Sequence, residues 1–472
     1  MKNDLDILLV NPHLEFPPDT SGRSGHFRSR EYLLNAGLLS IATYLKSIGI
    51  DTVLCDLTTV DNPKRELGAL VRECRPKFVG ISNQSCHSYL STMRCANIAK
   101  SIDKDIKIIV GGLHASGIPK VLLRECSAVD VVIVGDGELV IADLIKGTNT
   151  SGCRRRTRTS NRSIIDGLQP PNLNDLPSPD YTLYPNYRLF VPYIEESRGC
   201  NFKCAYCISP TIHRGIRFWH PETIASNLTS LQNLYGREGF HTFIEANNFA
   251  TSYKRTKALA ELLANSNASW RVESRSDTFP ISLLDPLVDA GLRVLDIGLE
   301  SGSPEMLLRM NKTKDPRTYL DACVKIAEKI AANGKCLLKL NIMLYYGEST
   351  RSIKTTRDYL KLISSICPLS LGIGPVRMEP GSKLYRNGVQ QMDLSRFENT
   401  FWGKVHCYPI DLSEEISFET ANKICLEIAQ EFQTSKAYFE AKRHSQLRYD
   451  ITYEEFMEQS EKISANERQW RI

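Results

Sequence analysis

Three cysteines, Cys200, Cys204 and Cys207, stand close together in "IEESRGCNFKCAYCI" at 194 to 208. Their spacing, C-x3-C-x2-C, admits three chemistries. Three thiolates can hold a [4Fe–4S] cluster and leave one iron open to a further ligand. With His213, six residues past Cys207, they make a Cys3His zinc site. Cys204 and Cys207 alone make a Cys-x-x-Cys redox pair, which leaves Cys200 without a role.

The choice depends on what positions the triplet. From residue 191, apolar runs recur at "FVPYIEES", "FHTFIEA", "SWRVESRSD", "GLRVLDIGLES", "CLLKLNIMLYYG" and "LSLGIGPVRME". Segments with helical periodicity, such as "YLDACVKIAEKIAANG", separate them. Six such units predict a partial (β/α)6 barrel, in which reactive residues gather at the carboxyl ends of the strands. The cysteines directly follow the first strand. Residues 5 to 145 show a second alternation: "DILLVNP", "DTVLCDL", "KFVGISNQ", "IKIIVGGLH" and "VDVVIVGDGE" read as strands of a doubly wound parallel sheet. The helix "NAGLLSIATYLKSIG" between the first two closes on Gly49. Ligands of such sheets bind beyond the carboxyl ends. Here those ends are small, polar or glycine-rich, and glycine lets a ligand approach the backbone.

The expected organisation is an α/β chain with a Rossmann-like domain at 1–146, a linker at 147–190, a partial barrel at 191–395 and a helical C-terminal region at 396–472. The linker reading rests on a polar, basic stretch, "GTNTSGCRRRTRTSNRS", and a proline-rich one, "QPPNLNDLPSPDYTLYP". Thr452 and Glu455 form a capping-box pattern in the tail.

Composition narrows the class. At 472 residues the chain is too long for one core. With 59 basic and 54 acidic residues the charge is near balance, and the five arginines between 154 and 162 have no aromatic residues among them. Nucleic acid is therefore not the expected partner, and an RNA-modifying role is the weakest reading. No apolar run has the length of a membrane span, and the N-terminus lacks the basic flank of a signal peptide. The location expected is the cytoplasm, and among the fourteen cysteines most, such as Cys55, Cys95, Cys323 and Cys425, read as small buried hydrophobes.

The motif "SRGCNFKCAYC" resembles the signature of radical S-adenosylmethionine enzymes. "DIGLESGSPEMLLRMNK", "NLNDLPSPDY", "EPGSKLY" and the N-terminal strand ends resemble the subgroup with an N-terminal cobalamin-binding domain, over about residues 5 to 390. The resemblance implies a [4Fe–4S] cluster on Cys200, Cys204 and Cys207, with S-adenosylmethionine on the open iron as the source of a 5′-deoxyadenosyl radical. It also implies a reductant such as flavodoxin or ferredoxin.

For S-adenosylmethionine, Glu245, Asn247 and Asn248 are candidate partners of the ammonium group, Arg275, Glu300 and Ser301 of the ribose, and Tyr206 of the adenine. The family often has two adjacent carboxylates near Glu245, where this chain has one. Cobalamin is expected at Asn11, His13, Ser82, Gln84, Gly111, Gly112, His114, Gly135 and Glu138. The pattern D-x-H-x-x-G is absent, so a histidine of that type is not expected on cobalt. Tyr345, Tyr346, Glu348 and Arg377, at late strand ends, are candidates for holding a small-molecule substrate.

Two functions follow. One is a cobalamin-dependent methyltransferase acting on an unactivated carbon of a small natural-product molecule. The other is a radical dehydratase, epimerase or rearrangement enzyme on an aminosugar or nucleoside, with a cobalamin-like domain not used for methylation.

Overall fold

The computed structural model describes residues 4–16, 32–148, 155–159 and 162–461. The first five strands are β1 (Ile7–Asn11), β2 (Thr52–Asp56), β3 (Phe78–Ser82), β4 (Lys107–Gly111) and β5 (Val131–Val134), all parallel where they pair. Because side chains alternate across a strand, this sheet feeds two cores. Leu9, Ile109 and Ile133 face the helices Ala36–Ser47 and Glu138–Lys146. Leu8, Val10, Val79 and Val110 face Pro63–Cys74 and Cys86–Ile102.

The stretch expected as a linker is built into the protein instead. Its basic part forms a hairpin, β6 (Arg155–Thr159) and β7 (Arg162–Asp166), and the sheet runs in the order β2-β1-β3-β4-β5-β7-β6. The reason is the "SIID" run: Ile164 and Ile165 bury one on each core, and β7 pairs in parallel with the otherwise open edge of β5. The proline-rich part is packed too. Leu173, Tyr181, Tyr184 and Phe190 are buried in the core that the sheet shares with the barrel. Polarity and proline content describe such a segment's backbone and not the few apolar anchors that fasten it.

The barrel strands are β8 (Tyr193–Glu195), β11 (His241–Glu245), β12 (Ser269–Ser274), β13 (Leu292–Glu300), β14 (Leu337–Leu344) and β15 (Leu369–Pro375), with two short pieces, β9 (Ser197–Arg198) and β10 (Arg217–Phe218), between the first two. They form one parallel sheet in the order β15-β14-β13-β12-β11-β8. One face carries the apolar core. The other carries polar groups in register, with Glu195 beside Glu245, Glu273 beside Asp296, and Asp296 beside Lys339.

Low in this lumen Asp296 is wholly buried between Arg271 and Lys339, with Lys339 Nζ 2.9 Å away. Burial pushes the Asp296 carboxyl up, and the two cations more than reverse it. The helix Ser435–Arg443 closes this end, where the carbonyl of Ala441 accepts from Arg271 at 3.0 Å. The capping box is present: the Glu455 amide donates to Thr452 Oγ1 at 3.1 Å and the Thr452 amide to Glu455 at 3.0 Å. A ribbon of β16 (Arg377–Met378) and β17 (Tyr408–Pro409) completes the described fold.

Candidate active site

The triplet lies in the loop after β9, and the loop is held from outside. The Ala205 amide donates to the Met310 carbonyl at 2.9 Å, the Leu384 amide to the Ala205 carbonyl at 2.8 Å, and Asn311 Nδ2 to the Lys203 carbonyl at 2.7 Å. All three cysteines are half-buried. Among the described residues, the one trio of metal-ligating types whose donor atoms converge within 4.8 Å lies elsewhere, at Cys86, Glu379 and Cys407. The barrel cysteines stand wider than a single tetrahedral ion allows, and a four-iron cube spreads its thiolates farther than one ion does. His213 does not join them. Its ring faces Asp136 at 3.9 Å. The donor set and its spread thus fit an iron–sulfur cluster.

Arg275 lies against this loop. Its Nη1 is 3.8 Å from Cys204 Sγ, its guanidinium is 3.7 Å above the Phe202 ring, and Asp277 holds its other edge at 2.9 and 2.7 Å. It also donates to the Lys312 carbonyl at 2.6 Å. Arg275 is therefore engaged with the cluster loop, where the ribose was expected. Burial pushes the Cys207 thiol up to about 11.

Glu300 sits at the carboxyl end of β13, beyond a register shift against β14 that begins at Gly298. Its φ is +67°, a left-handed conformation that is uncommon outside glycine. Its carboxylate meets Lys312 Nζ at 3.0 Å, and the same ammonium lies 3.5 Å from the Tyr206 hydroxyl. Burial works against the Lys312 charge, but Glu300, with smaller help from Tyr319 and Cys204, brings the net pKa above its ordinary value. The bulge therefore aims a strained carboxylate at a buried cation beside the aromatic between Cys204 and Cys207. Ser301 is buried, bonded to Thr356 at 3.0 Å.

On the neighbouring strands, Asn247 is exposed and accepts from the Gly199 amide at 2.9 Å, while Asn248 is buried against Thr278 at 3.1 Å. Glu245 faces the lumen. Burial and the nearby Glu273 push its carboxyl up to about 8.

A cavity of about 280 Å³ separates the strand ends of the N-terminal sheet from the barrel mouth. One wall has Ser82, Gln84, Gly111, Gly112, Gly135 and Glu138, all expected for cobalamin. The facing wall has Tyr193, Glu195, Arg198, Trp219, Glu245 and Asn247. A Cβ placed on Gly111 would meet only the Ile133 carbonyl, at 4.0 Å, so the glycine leaves room at the wall. Small strand ends and mixed apolar lining fit a large ring-shaped cofactor.

The other three expected residues are not on this wall. Asn11 is in a buried network with Asp56, Asn35 and Tyr184. His13 is exposed. His114 packs edge-on against Tyr89 at 5.4 Å in the opposite core, and burial lowers its pKa to about 4. Its helix Leu113–Gly117 turns that side chain away, since successive positions rotate by about 100°.

The two walls are joined by charge. Arg198 Nη1 meets Glu138 at 2.9 Å and Asp136 at 3.6 Å, and Arg217 meets Asp136 at 2.7 Å. Burial pushes the Glu138 pKa up, and Arg198 together with the Ser40 hydroxyl and a backbone hydrogen bond brings it below its ordinary value. Lys312, Arg198 and Arg217 were not singled out from sequence. The first two lie inside quoted motifs, but their partners are set by the fold.

Of the substrate candidates, Tyr345 is buried with its ring 6.4 Å from Tyr206, Tyr346 is exposed, and Glu348 is buried with Oε1 lacking a partner among the described residues. Burial raises the Glu348 carboxyl to about 7. Arg377 is not with them. It lies beside Glu379 and over the Trp402 ring at 5.0 Å, because β16 leaves the barrel to pair with β17.

Residues 194–360 match the Radical SAM superfamily and residues 28–145 match the B12 binding domain. An uncharacterised methyltransferase of Pyrococcus horikoshii is 28% identical over 330 residues, 66% of this chain and 69% of that protein. The anaerobic magnesium-protoporphyrin IX monomethyl ester cyclase of Rubrivivax gelatinosus is 25% identical over 58% of this chain, which spans about half, 52%, of the cyclase. The fold is that of the radical S-adenosylmethionine methyltransferase TsrM from Kitasatospora setae, solved with cobalamin and a [4Fe–4S] cluster, with TM-score 0.66 and 16% identity over 82% of this chain and 78% of that one. Among the described residues no helix is long and apolar enough to cross a membrane. The chain is a member of the radical S-adenosylmethionine superfamily carrying a B12-binding domain ahead of its barrel, and its cofactors are a [4Fe–4S] cluster, S-adenosylmethionine and cobalamin.

Proposed function

We propose that the enzyme is a methyltransferase acting on a carbon of a small molecule, working in the cytoplasm with a flavodoxin or ferredoxin as reductant. The observation that carries this reading is the cavity between the two walls: the glycine-rich strand ends face the barrel mouth directly, with Glu195, Glu245 and Asn247 opposite. When bound there, the cofactors supply a radical from one side and a methyl carrier from the other. The chain's own residues hold and shield. Cys200, Cys204 and Cys207 would hold the cluster, and Arg275 places positive charge against one thiolate. Glu300 and Lys312 form a fixed charge pair at the mouth, beside Tyr206, where S-adenosylmethionine would lie. Tyr345 and Glu348 stand at the end of β14 on the substrate side, with Glu348 poised to keep a proton near neutrality.

The test is product analysis with anaerobically reconstituted enzyme, hydroxocobalamin, S-adenosylmethionine, a chemical reductant and a panel of small aromatic and sugar substrates. Methyl transfer should yield S-adenosylhomocysteine, together with 5′-deoxyadenosine and a methylated product. Formation of 5′-deoxyadenosine and a dehydrated or rearranged product, without S-adenosylhomocysteine, would overturn the methyltransferase reading and install the second one.

A further inference from the structure

A second set of metal-ligand types lies outside the active site, at the junction of the N-terminal sheet and the ribbon of β16 and β17. Cys86 opens the helix Cys86–Ile102, directly after β3. Glu379 follows β16, and Cys407 immediately precedes β17. The two sulfurs and a carboxylate oxygen all lie within 4.8 Å of one another. Cys86 and Cys407 are 2% and 0% exposed, and the Cys407 thiol donates to Glu379 Oε1 at 3.2 Å.

Two features separate this trio from a chance meeting of small hydrophobes. First, its members come from parts of the chain about three hundred residues apart, and a half-exposed carboxylate stands beside two buried sulfurs, accepting from one of them. Secondly, the charges around it also balance with a divalent cation bound to both cysteines as thiolates. Arg377 Nε is buried 3.6 Å from Glu379, and it has no hydrogen-bond partner among the described residues. Two thiolates and one carboxylate are neutralised by one divalent cation and this one guanidinium. Two sulfurs, an oxygen and one more ligand are a tetrahedral donor set suited to zinc. His87, next to Cys86, has its Nδ1 2.9 Å from the Glu15 carbonyl and does not converge with the trio, so the fourth position is left to a solvent molecule on the half-exposed Glu379 side.

We propose that Cys86, Cys407 and Glu379 bind a structural zinc ion that fastens the β16–β17 ribbon to the N-terminal sheet. Binding releases the two thiol protons and needs no electron transfer. The consequence is positional. The turn Glu379–Pro380–Gly381 leads from this site to the active site: a Cβ on Gly117 would strike the Pro380 carbonyl at 2.5 Å, and one on Gly381 would strike Ile208, the neighbour of Cys207, at 2.8 Å. A metal here sets how closely the ribbon presses the cluster loop and the strand ends together.

The test is elemental analysis of the full-length chain, isolated anaerobically from zinc-supplemented cells and again after cluster reconstitution. Wild type and Cys204→Ala should both hold about one zinc per chain, while Cys86→Ser and Cys407→Ser should lose it and keep the cluster's iron. Loss of zinc in Cys204→Ala with retention in Cys86→Ser would overturn the assignment. So would a wild-type chain without zinc, or a linked peptide showing a Cys86–Cys407 disulfide. Should a serine variant be insoluble, Glu379→Gln keeps both thiols. Its zinc affinity, measured by chelator competition, should fall by about tenfold or more. An unchanged affinity would equally defeat the proposal.

Discussion

Arg198 places its Nη1 2.9 Å from the carboxylate of Glu138, so the residue two before the first cluster cysteine is ion-paired with the first turn of a helix in the N-terminal sheet. Both are nearly inaccessible, with side chains 11% and 4% exposed. Glu195 holds the other edge of the same guanidinium at 2.8 and 2.9 Å, and Ser40 donates to Glu138 at 2.6 Å. The two halves of the chain therefore meet through a buried charge network on the wall of the shared cavity.

Arg198→Met should destabilise the protein by about 3–5 kcal/mol, since it strands buried carboxylates. Adding Glu138→Gln should recover part of the loss. Denaturant unfolding of the apoprotein reads this. A single-variant loss below about 0.5 kcal/mol, the level of an ordinary surface change, would show that the network carries no load.

Arg275→Lys should leave four irons bound but make the cluster harder to reduce. A lysine cannot keep the fork on Asp277 while reaching Cys204 Sγ, and losing a hydrogen bond to a ligating sulfur lowers the potential. A redox titration followed by electron paramagnetic resonance reports the shift. A potential equal to wild type would refute the contact. Cys204→Ala should abolish the brown iron–sulfur spectrum, and retention of four irons would refute the ligand assignment.

Lys312→Met should weaken S-adenosylmethionine binding by about tenfold or more, because it leaves Glu300 strained, buried and unpaired. Lys312→Met with Glu300→Gln should bind more tightly than Lys312→Met alone. Equilibrium binding to the reconstituted enzyme decides, and equal affinity in wild type and Lys312→Met would remove the pair from the site.

Gly111→Leu should block cobalamin uptake with little effect on the fold. Its Cβ would stand in open space, and the longer side chain would enter the cavity. Absorbance of bound cobalamin after reconstitution is the measurement. Uptake equal to wild type, with an unchanged melting temperature, would place the cofactor elsewhere.

Acid should loosen the closed end of the barrel. His241 and His444 are buried side by side at 5.5 Å, and burial lowers their pKa values to about 4 and about 3. The unfolded chain binds protons on these rings near pH 6.5, before the folded one does. Their contribution is therefore fully present above pH 6.5 and is lost as pH falls toward 4. The loss amounts to about 2 kcal/mol for each ring at pH 5. Melting temperatures from pH 7 to pH 5 should fall in wild type and fall less in His444→Asn. Parallel slopes would contradict the linkage.

The sequence alone determined the five strands of the N-terminal sheet's first part and the six of the barrel, the triplet and the strand ends that bear polar groups. These are local: strand alternation, helical spacing and a short cysteine motif are each read within a few turns of chain. Thr452 and Glu455 show the same, since a capping box spans only three residues. The tertiary structure decided everything that depends on direction or on distant partners. His114 and Gly112 are neighbours but one helical turn sends the histidine into the far core while the glycine faces the cavity. Arg377 follows a barrel strand, yet pairing between β16 and β17 takes it to Glu379 and Trp402. Glu300 points at Lys312 because of a bulge and a left-handed φ that no motif spells out. Side-chain direction comes from packing, and packing comes from residues tens to hundreds of positions away, as Arg198 with Glu138 and Cys86 with Cys407 show in turn.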